Sequence, residues 1–345
     1  GQGPDRWVVA CAQDHLGYFV DRATYRRADR YEAELTLFGP DAVDRLLRAA
    51  NREPPRPGRR ESPPVSGPVG LRPEGGRNPA HGLGLAHGRR LAGPIRDLLQ
   101  EAEAHIVRDS LAHGAGVALL PASLWTGVSA GDLVVPSLVR AARRLQRNVP
   151  EAYLDEMEGI AEAAGLPYDA ILLENVFLTL AEQPDPASYF RLPVRCTNVV
   201  ALGEATSMGQ VLHASTLDWG MHAVLKDRAL CMVIEPLHGH PFVSIGWPGM
   251  VGTLRAMGAQ GIAVTEESCA AKDDTGLEGM PINLLMRKVV QTAATLDDAV
   301  ALVRKTPGTC GYKISISDGR RLDARVVEVT ARHHHVRKPL RGLLF

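Results

Sequence analysis

Arg191-Leu-Pro-Val-Arg195-Cys196-Thr197-Asn-Val-Val-Ala201 is followed, after Gly203 to Gly209, by Gly209-Gln-Val-Leu-His-Ala-Ser-Thr-Leu-Asp218-Trp219-Gly220. The first segment carries the β-branched pair Val199-Val200, and the second returns through Val211-Leu212-His213-Ala214. Two such runs bracketing a glycine-bounded turn predict a hairpin, with Cys196 at the start of its first strand.

A thiol is a good nucleophile only when a base takes its proton. An α-amino group titrating near pH 8 can be that base if it belongs to the same residue, which requires Cys196 to be a chain terminus. The plain alternative is that Cys196 is a small buried hydrophobe, as free cysteines usually are. A papain-like pairing of Cys196 with a histidine is a further alternative, but no local signature for it is present.

Further along, Glu151-Ala-Tyr-Leu-Asp-Glu-Met-Glu-Gly159-Ile-Ala predicts an acidic helix stopped at Gly165 and Pro167, with a second helix running to Asn175. The carboxylates Asp155, Glu156 and Glu158 read as its solvated face. After the hairpin come strand-like runs at 228–235, 241–246 and 260–265, with Trp247-Pro-Gly249-Met-Val251-Gly252-Thr253 between the last two. Helices follow from Met280 to Ala293 and from Thr295 to Arg304, the latter opened by a capping-box pair, Thr295 and Asp298. A hairpin around Ser317-Asp318-Gly319 closes the pattern, and His333-His334-His335 lies in what reads as a basic, solvated tail.

Cys196-Thr197, Asp218-Trp219, the Gly-Ile-Ala helix and the Gly249-x-Val251-Gly252 stretch together resemble the isopenicillin N acyltransferase-like cysteine family of N-terminal-nucleophile hydrolases. Acid ceramidase is a more distant cousin. The resemblance implies an α+β fold, the four-layer αββα sandwich, and self-cleavage of the Arg195-Cys196 bond. Residues 93–195 and 196–345 would then be associated segments of one hydrolase domain. It implies Cys196 as nucleophile and Asp218 as holder of the new amine, with Thr197, Gly249, Val251 and Gly252 lining substrate or oxyanion. The expected reaction is hydrolysis or transfer at the amide bond of a small N-acyl compound, including N-acyl lipids, without a cofactor. Two departures stand out. Where acid-ceramidase relatives carry Gly-Arg-Asn, this chain has Ala214, Ser215 and Thr216, so the arginine is missing; where relatives place an asparagine, it reads Thr265-Glu266-Glu267-Ser268.

The first 52 residues differ in character. Leu16-Gly-Tyr, Tyr31-Glu32 and Gly39-Pro40 resemble the end of the neutral ceramidase catalytic domain, in which the matching tyrosine helps ligate zinc. One tyrosine cannot hold zinc, so Tyr31 is read as structural and no metal is expected. This leaves a second reading, an accessory or inactive binding domain of a larger zinc-dependent ceramidase-like protein. Residues 53–92, rich in proline, glycine and arginine, read as a linker, with a globular pattern resuming at His87.

Composition bounds the rest. The 345 residues are 45% apolar and 23% charged, and 39 basic side chains balance 39 acidic ones. That is an ordinary globular composition without the basic excess of a nucleic-acid partner. No apolar run reaches the ~18 residues of a membrane span. Five scattered cysteines suggest neither disulfides nor zinc knuckles. A cytoplasmic location is expected, or a secreted one if a leader lies upstream.

Overall fold

The computed structural model describes residues 68–344, apart from 113–129, 184–193, 208, 220–221, 226–227, 270 and 272–273. The ceramidase-like stretch, Tyr31 included, lies outside the described residues.

Two sheets form the centre. The larger runs β1(Val69–Leu71), β4(Leu230–Ile234), β5(Phe242–Gly246), β6(Arg255–Gly258), β7(Ile262–Ser268), β8(Tyr312–Asp318), β9(Asp323–Val329) and β10(His334–Arg337) in spatial order. All neighbours are antiparallel except β1 and β4. The smaller sheet is the predicted hairpin, β2(Val194–Gly203) with β3(Gly209–Trp219), edged by β11(Leu343–Leu344). β2 packs across β7 and β8.

Central strands covered on both faces cannot alternate apolar and exposed residues. In β8, Ile314 and Ile316 join the main core, while Ser317, also buried, meets His213 of the smaller sheet. The helices Ile282–Thr292 and Leu296–Lys305 pack on β6 to β9. Thr295 caps the second of these through the anticipated capping box with Asp298. The α+β class therefore holds. The described residues supply helices, the large sheet and the small sheet, whose outer side carries Leu212 at 53% exposed.

The other long helices among the described residues are Pro79–Ala112, kinked at Leu91, Ala130–Leu145, Glu151–Ala164 and Tyr168–Ala181. Gly165, at φ 66°, ends the third in the left-handed region that glycine favours.

One sequence reading needs correction here. From residue 68 onward the stretch read as linker to residue 92 is folded: β1 pairs with β4, and a helix begins at Pro79. Its glycines serve close packing. A Cβ on Gly84 would collide with the Glu156 carbonyl oxygen, one on Gly159 with the His81 carbonyl, and one on Gly88 would come within 2.7 Å of Ala163 Cβ. Small residues let the two backbones approach where larger ones would not. The histidine run is solvent-exposed, as read, and part of the sheet as well: His334 and His335 pair with Val329 and Glu328 as β10, and His333 Nδ1 lies 2.7 Å from Asp274 Oδ2.

Candidate active site

Cys196 lies on β2 opposite Leu217 and is 8% exposed. Strand alternation turns it and Asn198 towards the large sheet, and both are buried. There the thiol meets two charged groups. Glu266 Oε1, on β7, is 3.7 Å from Sγ, and Arg255 Nη2, on β6, is 3.8 Å away. Arg255 is held in place by β3: its Nε donates to Ser215 Oγ at 2.9 Å and its Nη2 to the Thr216 carbonyl at 2.6 Å.

Burial pushes the Cys196 thiol up, and the Glu266 charge adds to this, while Arg255 and a hydrogen bond from the Ser268 backbone work in the opposite direction. Glu266 is fully buried, and its carboxyl is raised to about 7 by burial, against the pull of Arg255 and of the Cys196 hydrogen bond. Its Oε2 has no hydrogen-bond partner, nor do the side-chain atoms of Asn198 and the Ser268 hydroxyl. Beside this set, His213 bridges the sheets, with Nδ1 2.8 Å from Ser317 Oγ and Nε2 2.8 Å from Thr265 Oγ1; burial lowers it to about 4.

The other expected site residues are distributed differently. Asp218 pairs through the backbone with Arg195, one rung beyond Cys196, and Thr197 is exposed opposite Thr216. The N–H groups of the glycine-rich loop have internal partners. Gly249 donates to His87 Nε2 at 3.0 Å, while Val251 and Gly252 donate to Asn175 Oδ1 at 2.6 and 3.3 Å. The oxyanion role expected of that loop thus competes with bonds already made. Glu156, read as solvated, is 2% exposed and salt-bridged to the buried Arg287 at 2.7 Å. Arg287 in turn donates to the Val251 carbonyl at 2.7 Å, so the loop is tied to the helices behind it.

No histidine is among the hydrogen-bond partners found for Cys196, which sets aside the papain-like alternative among the described residues. Arg255 and Glu266 were missed as site residues because they come from other strands. The sequence offered one signal, the absence of arginine at 214–216, without saying that Arg255 would be held by Ser215 and Thr216. Among the described residues there is no cluster of side chains fit to hold a metal, and no helix is long and apolar enough to cross a membrane.

Comparison with known proteins shows what this mixed αβ chain, with its cysteine buried in a sheet strand, is similar to. Residues 208–340 match the model of the acyl-coenzyme A:6-aminopenicillanic acid acyl-transferase family. That stretch takes in Asp218 and the Gly249-x-Val251-Gly252 run, two parts of the resemblance read from the sequence, and begins after Cys196. An uncharacterized protein of Archaeoglobus fulgidus is 32% identical over 234 residues, covering 62% of this chain and 39% of its own. Protein dcd1B of Dictyostelium discoideum is 23% identical over 261 residues, 73% of this chain and 49% of that one. The chain thus spans about half the length, or less, of these two relatives. Among solved structures, the Caenorhabditis elegans N-acylethanolamine-hydrolyzing acid amidase ortholog is 17% identical with a TM-score of 0.37, covering 43% of this chain and 67% of its own. Penicillin V acylase from Agrobacterium tumefaciens is 15% identical with a TM-score of 0.28, covering 43% and 51%.

Proposed function

We propose that the protein is a self-processing cysteine amidohydrolase or acyltransferase acting on N-acyl compounds. The observation that carries this reading is the Cys196 thiol, set at the start of a sheet strand between the Glu266 carboxyl and the Arg255 guanidinium. In the continuous chain the thiol is buried and held protonated, so it is a poor nucleophile towards outside substrates. Cleavage of the Arg195-Cys196 bond frees an α-amine on the same residue, which then takes the thiol proton during each turnover. Asp218 holds that amine. The unpartnered polar groups of Asn198 and Ser268 are available to a substrate amide.

The substrate reading is an N-acyl lipid. It draws support from the ceramidase-like sequence at the N-terminus and from the acyltransferase match. The test begins with intact mass and N-terminal sequencing of purified protein, in which a fragment starting Cys196-Thr197-Asn198 is expected and Cys196→Ala stays one chain. Cleaved protein is then offered long-chain N-acyl amines, N-acyl amino acids and penicillin-type amides. Turnover confined to short acyl amides would overturn the lipid assignment, and a wild type that stays one chain would overturn self-processing.

A further inference from the structure

We propose that Arg255 is the catalytic cation of this site, a guanidinium delivered from the large sheet that holds the Cys196 thiolate and then the oxyanion formed when the sulfur adds to an acyl carbonyl. The inference rests on the reading of Cys196 as nucleophile.

Three contacts fix the group. Nη2 lies 3.8 Å from Sγ and donates to the Thr216 carbonyl at 2.6 Å, while Nε donates to Ser215 Oγ at 2.9 Å. Guanidinium is planar, permanently charged and carries five N–H donors in a rigid fork. Two anchors on β3 therefore aim the remaining donors without further ordering. The alternative donors are spoken for: Gly249 N–H is bonded to His87, and those of Val251 and Gly252 to Asn175. Among the described residues, Arg255 is the cation hydrogen-bonded to the sulfur.

The charges facing the thiol are Glu266 on β7 and Arg255 on β6. Glu267, on β7, raises Glu266, and the Glu266 charge in turn raises Tyr312 of β8. On the small sheet, Arg195 and Asp218 pair through the backbone at the adjacent rung. Glu266 opposes formation of a thiolate and Arg255 favours it, so removing Arg255 leaves two negative groups without a counter-charge.

The Sγ proton passes to a base, Glu266 while Cys196 is still joined to Arg195 and the α-amine once it is free. The sulfur bonds to the carbonyl carbon, and the π pair moves onto oxygen, where Arg255 donates an N–H without losing its proton. When the C–N bond breaks, that pair returns to re-form the carbonyl and the departing nitrogen takes the proton from the base. A thioester remains, which water or an amine cleaves.

The experiment measures iodoacetamide alkylation of Cys196 by peptide mass spectrometry from about pH 6 to 9, with Cys231 as internal reference, in wild type, Arg255→Gln and Arg255→Lys. Arg255→Gln is expected to move the alkylation profile alkaline by about one pH unit, a tenfold loss of thiolate. Added guanidinium chloride at millimolar concentration should recover part of it, and Arg255→Lys should fall between. Self-cleavage in Arg255→Gln should slow by about a hundredfold, the scale of losing one preorganised oxyanion donor. A Gln profile coincident with wild type overturns the assignment. Should Arg255→Gln not fold by circular dichroism, Ser215→Ala decides: it removes the Nε anchor, and a loss of about threefold is expected, on the scale of one hydrogen bond, whereas no change overturns the proposal. A wild type that never cleaves but whose alkylation depends on Arg255 defeats self-processing and leaves this assignment standing.

Discussion

Glu266 Oε1 and Cys196 Sγ lie 3.7 Å apart although they belong to different sheets. Before cleavage, Glu266 is the nearest described group able to accept the thiol proton, and its carboxyl titrates at about 7. Self-cleavage should therefore accelerate as pH rises through about 7. Glu266→Gln, which fills the same space but takes no proton, should cleave at least about a hundredfold more slowly, the usual scale of a general base. Time courses of the two fragments by intact mass check this. A Gln variant cleaving at the wild-type rate would exclude Glu266 as the base.

A second prediction concerns His87. Its ring is 1% exposed and accepts the Gly249 N–H, which only the neutral imidazole can do. Burial, aided by the Arg287 charge, lowers it to about 4. The unfolded chain binds this proton near pH 6.5 and the folded chain does not, so the contribution to stability is complete above pH ~6.5 and is lost as pH falls towards about 4. His87→Gln keeps an acceptor without the titration. Its melting temperature should fall less than that of wild type between about pH 6.5 and 4.

Much of the fold was legible because local rules and tertiary contacts agreed. The hairpin of Cys196, the Gly165 stop and the Thr295 cap each follow from turn, glycine and capping chemistry. The linker reading failed because glycine carries two meanings. Gly82 to Gly88 resemble a flexible segment in composition, yet Gly84 and Gly88 make a smooth helix face for Gly159 and Ala163. Glu156 was misread for a related reason: its counter-ion Arg287 stands 131 residues later, and no local pattern announces so distant a partner. The site was half visible. Cys196 carries its own signal, whereas Arg255 and Glu266 reach it only through the stacking of two sheets.

The close helix approach gives a third prediction. Gly84→Ala and Gly159→Ala would each improve helix propensity by about 1 kcal/mol in an isolated helix. Here each added methyl meets a backbone carbonyl that cannot swing away. The sign should invert, with a loss of about 1–3 kcal/mol or more from overpacking. Gly93→Ala, in the same long helix with open space around it, is the control and should be neutral or stabilising. Urea midpoints of the three variants separate packing from propensity.

The fourth prediction tests whether the Glu156–Arg287 pair matters for stability or for the loop. Both side chains are almost fully buried, and the guanidinium also lies 4.6 Å from the Tyr153 ring centroid and bonds the Val251 carbonyl. Removing one charge strands the other, so Glu156→Gln should cost about 3–5 kcal/mol. Replacing both, as Glu156→Leu with Arg287→Met, removes the desolvation cost along with the attraction, and stability should return to within about 1–2 kcal/mol of wild type. The tether to Val251 is absent from that double variant. If the tether holds Gly249 to Gly252 in place, amide hydrogen exchange at Val251 and Gly252 should quicken in the double variant while the β8 amides keep their protection. Unchanged exchange at the loop would assign its rigidity to the remaining anchors, His87 on Gly249 and Asn175, which bonds Gly249, Val251 and Gly252 at once.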